Sequence, residues 1–358
     1  LNLASGGRLD LSGWTFSGWT SGADTITITG STGTETLVGS NQNDVFVVSN
    51  TNQVSASDRY DGDGGTDTLQ IGTAGAGVTV DLSAAATDGV DGFLNIEALS
   101  FVNTSTTTTA TFTSAQFGAG RIATSLAVTG TTSNQAIAVN LVAGGSLSLA
   151  GWTFTSWTSG TDTITIAGST GTESIVGSSQ IDRFIVGDTN QVQVGDKYDA
   201  GAGTDILQIG TAGAGTSVDL STAAADGVNG FLILEAVAFV NTSGTSTATF
   251  SSAQFGAGRI STTVAVTGTS STQAIVVNMV SGGVLDLSGW TFNTWVSGTD
   301  TITVSGTNSA ETITGSTQAA SIDAGDGDDT LIVTATGQVQ TGDRYDGGIG
   351  TDTLQIGV

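Results

Sequence analysis

The chain repeats itself. Asn2-Leu3 returns as Asn140-Leu141 and again, after an equal interval, as Asn278-Met279. The tetrapeptide Gly-Trp-Thr-Phe returns at the same step, marked by Trp14, Trp152 and Trp290. Trp19, Trp157 and Trp295 complete the set of six tryptophans, and the three tyrosines, Tyr60, Tyr198 and Tyr345, all fall in one recurring motif. Such a fixed step is the signature of arrays in which each unit stacks on its neighbour. Residues 1–139 and 140–277 are two complete units, and 278–358 is part of a third. The chain reads as a segment of a longer array, stopping in mid-unit.

The third unit carries one irregularity. Gly72 and Gly210 correspond, but their next equivalent is Gly357, nine residues beyond the expected step. The surrounding sequence has a nine-residue beat: GTNSAETIT (306–314), GSTQAASID (315–323), AGDGDDTLI (324–332) and, after fourteen less regular residues, GGIGTDTLQ (347–355). Inserting one whole beat means the structure is modular at nine residues. If two beats make one turn of a coil, all later strands of that unit move half a turn.

Between these motifs the chain alternates apolar and polar residues, as in VTVDLSA (78–84), ATFTSAQF (110–117), AIAVNLV (136–142) and SLSLAGWTF (146–154). Such runs, separated by Gly, Ser, Asn or Asp, predict strands. Helical periodicity is scarce, and there is no proline to interrupt a ladder. The expected fold is all-β: a parallel β-solenoid with roughly 18–24 residues per coil and about 4.8 Å between coils.

Composition narrows the chemistry. The chain has no Cys and no His, which removes disulfides, thiolate or imidazole metal sites and His-dependent catalysis. Seven Lys and Arg stand against 32 Asp and Glu, a formal net charge of −25. Nucleic acid and anionic lipid require basic patches, so neither is an expected partner, and no apolar run is long enough for membrane insertion. Such a surface collects cations instead.

The beat resembles the RTX nonapeptide, G-G-x-G-x-D-x-U-x with U apolar. GGIGTDTLQ matches every fixed position, AGAGTDILQ (200–208) and AGDGDDTLI miss the first glycine, and GDGGTDTLQ (62–70) misses the second. The resemblance covers about a fifth of the chain. It implies a β-roll in which Ca2+ lies between neighbouring coils, held by the motif aspartate and by carbonyls of the glycine turns. Carried onto this sequence, the ligands are Asp67, Asp205, Asp329 and Asp352, helped by Asp61, Asp63, Asp199, Asp326 and Asp346. Asp58, Asp196 and Asp343 sit at a fixed offset beside them. The glycines that turn carbonyls toward the ion are Gly62, Gly64, Gly201, Gly203, Gly325, Gly327, Gly348 and Gly350. Calcium takes six to eight oxygen ligands, which suits this donor set. The plainer alternative is that these are solvated turn aspartates.

Three other recurrences need a reading. The Trp14, Phe16, Trp19 set is read first as core packing, with contact between coils and sugar stacking as alternatives. Glu97 and Arg121 recur as Glu235 and Arg259, equally spaced in both units, and read as a ladder salt bridge. Arg59, Lys197 and Arg344 are expected to neutralise neighbouring aspartates.

The functional expectation is a non-enzymatic, calcium-stabilised structural repeat protein, extracellular on a bacterial cell surface. It would form part of a surface layer, a filament or an adhesin stalk and associate with itself, with cell-surface glycan as a further partner. Export through type I secretion comes with the resemblance. The alternatives are a glycan-binding module and the calcium-binding tail of a secreted hydrolase.

Overall fold

The computed structural model describes residues 1–20 and 22–357. They form a parallel β-solenoid, with short strands joined by turns and five single-turn 3₁₀ segments. The chain divides into two compact units, residues 1–166 with 177–181, and residues 167–176 with 182–358.

In the first unit the strands Gly7–Asp10, Glu35–Val38, Arg59–Asp61 and Gly92–Leu94 pair side by side in one parallel sheet. A second sheet runs Ile26–Thr29, Asp44–Val48, Thr68–Ala76, Ile96–Ser105, Ile122–Thr129 and Thr153–Thr155. Inward positions line up across coils, one apolar residue per rung. Leu37 pairs in register with Tyr60, and Tyr60 with Phe93. Ile28, Phe46, Leu69, Leu99 and Val128 form another buried column. Each such residue contributes about 1.5–3 kcal/mol by burial. Alternation with outward Thr and Ser makes these runs strands, because a pleated strand presents successive side chains to opposite faces.

The second unit repeats this plan. Ile175, Tyr198 and Phe231 form one column. Phe184, Leu207, Val237 and Val266 form another. Phe250, Val277, Val304, Ile322 and Tyr345 form a third.

Coil length falls within the expected range of roughly 18–24 residues in part of the stack and exceeds it elsewhere. Steps of two nine-residue beats occur where Ile26 pairs with Asp44, Ile302 with Ala320 and Thr312 with Thr330. Elsewhere the step is longer, as from Val45 to Thr68, and longer again from Thr68 to Ala98 and from Arg59 to Gly92. The extra residues fold as 3₁₀ turns such as Thr51–Gln53 and as loops between strands, so the apolar columns continue past them.

The inserted beat does move later strands to another sheet. Arg59–Asp61 pairs with Glu35–Val38, in the sheet that also contains Gly7–Asp10. Its counterpart Arg344–Asp346 pairs instead with Ala320–Gly325, beside Thr301–Thr307. Thr353–Ile356 likewise joins Thr330–Val333 and Thr312–Thr314, whereas Thr68–Ala76 lies with Ile26–Thr29 and Asp44–Val48. One beat is half of a two-beat coil, so a single extra beat exchanges the two sheets while keeping the inward face inward.

The tryptophans pack. Trp152 is 3% exposed, with the Phe117 ring 5.5 Å away, and Trp290 is 3% exposed, with Phe255 at 5.3 Å. Phe154 and Trp157 extend the first cluster to Phe101. Trp14, at the same repeat position, is 48% exposed and touches only Phe16 among the described aromatic rings. Core packing therefore accounts for two of the three copies. Trp152→Ala should cost about 3–5 kcal/mol by leaving a cavity, while Trp14→Ala should cost less than about 1 kcal/mol. Chemical denaturation of the two variants checks this contrast.

Candidate cation site along the carboxylate ladders

A carboxylate at a coil corner can use its two oxygens separately. In Asp58, Oδ1 accepts the Glu35 N–H of the adjacent coil at 2.9 Å, and Oδ2 accepts the Ser55 N–H of its own turn at 2.7 Å. Asp196 does the same with the Glu173 and Gln193 N–H groups, at 2.9 and 2.6 Å. Asp343 takes the Ala320 N–H at 2.8 Å and the Gln340 N–H. One oxygen caps a turn and the other ties two coils together. The wider coils use amide or carboxylate side chains in the same way: Gln135 caps Thr131 while Asp162 Oδ1 accepts the Gln135 N–H at 2.8 Å.

The RTX-matching aspartates build continuous ladders from this rung. Asp67 Oδ1 accepts the Asp44 N–H at 2.7 Å, and the Asp67 N–H donates to Glu97 Oε2 at 2.9 Å. Asp205 Oδ1 accepts the Asp182 N–H at 2.7 Å, and its own N–H donates to Glu235 Oε2 at 2.8 Å. In the partial unit, Glu311 donates its N–H to Asp329 Oδ1 at 2.7 Å, and Asp329 donates to Asp352 Oδ1 at 3.0 Å. Asp67, Asp205 and Asp329 are buried, while Asp352 is exposed in the last coil.

These ladder aspartates differ from the corner caps in one respect. Among the described residues, Asp67 Oδ2, Asp205 Oδ2 and Asp329 Oδ2 are buried without a hydrogen-bond donor, as is Asp44 Oδ1. For Asp67 the physical reason is local. The N–H four residues back, which would cap the second oxygen, belongs to Asp63 and donates to Asp61 Oδ1 at 3.1 Å. The same diversion occurs at Gly348, whose N–H goes to Asp346 Oδ1. A buried unpaired oxygen is costly unless something neutralises it.

Burial therefore pushes the Asp67 carboxyl up to about 8, with the charges of Asp44, Glu97 and Asp61 adding and the Asp44 N–H opposing. Burial pushes Asp205 up to about 7, with Glu235 adding and the Asp182 N–H opposing. Asp44 and Asp329 are raised by burial too, and for Asp329 the neighbouring charges are those of Glu311, Asp352 and Asp328.

The remaining candidates have other partners. Asp61 pairs with Arg59 and accepts Asn95 Nδ2 at 2.8 Å. Asp199 lies 3.1 Å from Lys197 Nζ, and Asp346 pairs with Arg344. The three basic residues thus neutralise the aspartate two positions on, as expected. Asp63 and Asp326 are not buried in their turns. Gly201, Gly203, Gly325, Gly327, Gly348 and Gly350 all take positive φ. Gly62 and Gly64 do not. The left-handed positions of that turn fall on Asp63, φ 65°, and Gly65, φ 131°. Gly62 is instead a close-approach position, where a Cβ would overlap the Asn95 carbonyl and Asp67 Oδ2.

The expected Glu–Arg ladder bridge is not formed. Glu97 spends one oxygen on the Asp67 N–H, and Arg121 Nη1 donates to the Ala115 carbonyl at 2.6 Å. Arg259 donates to the Ala253 carbonyl in the same way. Glu35, Asp44, Glu173 and Glu311 are ladder members as well, beyond the residues singled out from the sequence. Their signal is a Gly five residues earlier, at Gly30, Gly39, Gly168 and Gly306. That Gly leaves room for the folded-back side chain: a Cβ on Gly39 would stand 2.7 Å from Asp44 Oδ2.

As a cation site the donor set fits in kind: unpaired carboxylate oxygens, dry surroundings and glycine-turn carbonyls, all hard oxygens of the sort calcium takes. Among the described residues, no group of three or more acidic side chains converges in metal-holding geometry. Any ion would therefore rest on no more than two acidic side chains together with backbone carbonyls. Comparison with protein-family models, with curated proteins and with solved structures finds no match to this chain.

The raised carboxyls set a pH dependence with a definite sign. Their ordinary value is 3.8, so between about pH 4 and pH 8 the folded chain binds more protons than the unfolded one. Stability then falls as pH rises through that window and levels off above it. In chelator, the chain should be more stable at pH 5 than at pH 8.5 by at least the roughly 1.4 kcal/mol of one pKa unit. Asp67→Asn with Asp205→Asn should flatten the slope, since Asn still offers an oxygen to the Asp44 and Asp182 N–H groups. Denaturant midpoints across pH for both proteins test this.

Proposed function

We propose that this chain is a structural repeat segment of a bacterial cell-surface protein, a piece of a surface layer, filament or adhesin stalk, in which calcium stabilises an RTX-type β-roll. The single observation that supports it is the set of buried, unpaired oxygens at Asp67, Asp205 and Asp329, the aspartates that match the nonapeptide. Asp67, Asp205 and Asp329 would hold the ion together with carbonyls of their glycine turns. When bound, calcium supplies two positive charges beside carboxylates that otherwise repel along the ladder.

The parallel coil supports the structural part of the reading. Each coil leans on its neighbours through rungs and apolar columns, so such a segment resists extension along many bonds at once. Millimolar calcium is available outside cells, and extracellular calcium modules bind near 10⁻⁴–10⁻³ M. At ten times its dissociation constant, one ion adds about 1.4 kcal/mol by mass action. Three such sites add roughly 4 kcal/mol, a large part of the 5–15 kcal/mol that usually keeps a domain folded.

The decisive experiment is thermal unfolding by circular dichroism at millimolar calcium and in excess EGTA, with light scattering followed in parallel. Chelation should lower the midpoint by about 10 °C, and Asp67→Asn with Asp205→Asn should shrink that difference. Calcium should also promote ordered assembly. Equal midpoints with and without calcium would remove the cation from the proposal.

A further inference from the structure

Each compact unit contains a small recess with the same walls. In the first, Glu97, Arg121, the turn from Gly118 to Gly120 and Thr124 line a recess of about 260 Å³. In the second, Glu235, Arg259, the turn from Gly256 to Gly258 and Thr262 line one of about 330 Å³. Their key residues are one repeat unit apart.

The recess is built by a local irregularity. Ile122 pairs with Ile96, but the next pair in register is Ala127 with Ala98, so the residues after Ile122 bulge out of the sheet. The same shift follows the Leu234–Ile260 pair. The turn before the bulge is closed by the Gly118 N–H to the Ile122 carbonyl at 2.9 Å and the Arg121 N–H to the Gly118 carbonyl at 3.1 Å. Turn and bulge together form the walls.

Both charged walls are held in place by the backbone. Glu97 is fixed by the Asp67 N–H and Arg121 by the Ala115 carbonyl, and Glu235 and Arg259 repeat both bonds. Among the described residues, neither glutamate forms an ion pair with its arginine within 4.0 Å. Each recess thus presents an acceptor and a multiple donor, both oriented and neither satisfied by the other.

We infer that each recess binds one neutral pyranose ring of a glycan. A sugar hydroxyl both donates and accepts, so neighbouring ring hydroxyls match a carboxylate beside a guanidinium. An anionic ligand would meet Glu97 and a chain of net charge −25, and a cationic one would meet Arg121. The volume lies near the ~300 Å³ where sites for larger ligands begin, which suits a single ring. This inference is independent of the cation reading.

The test is saturation-transfer NMR on the full chain in calcium buffer, with methyl α-glucopyranoside, methyl α-mannopyranoside and methyl β-galactopyranoside as probes. At least one should saturate two sites with Kd on the order of 1–10 mM. Glu97→Gln with Glu235→Gln keeps an oxygen for the Asp67 and Asp205 N–H groups but removes the charged acceptor. It should weaken binding about five-fold, the worth of roughly one hydrogen bond. Ala119→Leu with Ala257→Leu fills each recess from its turn and should abolish binding. The inference is overturned if no pyranoside saturates, if binding survives the filled recess, if it is lost instead in Trp14→Ala, or if glycine betaine or glucuronate binds more tightly than every neutral probe.

Discussion

The fold depends on one recurring bond: a backbone N–H of one coil donated to a carboxylate oxygen of the next. Sheet hydrogen bonds join coils along the strands, but at the corners the backbone turns away from that ladder and its N–H groups need another acceptor. Asp58, Asp67, Asp196, Asp205, Asp329 and Asp343 supply it, each reaching across one coil step. Buried tyrosines reinforce two of these corners. The Tyr60 hydroxyl lies 2.7 Å from Glu35 Oε1, and that of Tyr198 lies 2.9 Å from Glu173 Oε2. In the partial unit Ala320 stands in place of the glutamate, and Tyr345 bonds the Gln338 carbonyl alone among the described partners.

Dependence on carboxylates has a cost. An acceptor that ties two coils must be buried between them, and a buried carboxylate beside others is hard to keep ionised. Where both oxygens receive N–H donors, as in Asp196, the hydrogen bonds oppose burial, which still raises the carboxyl. In the Asp67 turn the Asp63 N–H goes to Asp61 instead, and one oxygen of Asp67 is left alone. Protonation and cation binding are two answers to the same unpaired oxygen, which links the pH behaviour of this chain to its proposed need for calcium. The glycines serve this geometry as well: positive φ at Gly201 and Gly348 lets the turn close, and at the equivalent place Asp63 adopts it despite its side chain.

Functional reading follows from repetition. Corners repeat because coils repeat, and the same holds for the recesses at Glu97 and Glu235. The proposed site recurs once per unit, so its binding would accumulate by multiplicity.

The sequence by itself determined the class of fold, the length of the repeating unit, the nine-residue module and the change of sheet after the extra beat. All of these follow from local patterns, strand alternation and the arithmetic of half a coil. Glycine spacing also marked Asp67, Asp205, Asp329 and Asp352; the first three bury an unpaired oxygen, whereas Asp352 is exposed and the unmarked Asp44 buries one too. Tertiary structure alone decided who their partners are. Asp67 meets Asp44 across 23 residues and Glu97 across 30, because intervening loops of different length are absorbed outside the strands. For the same reason Glu97 and Arg121, evenly spaced in sequence, take backbone partners and face a shared recess instead of each other. Spacing along a chain predicts contact only when the coil length is constant, and here it is set by register, which the folded stack alone fixes.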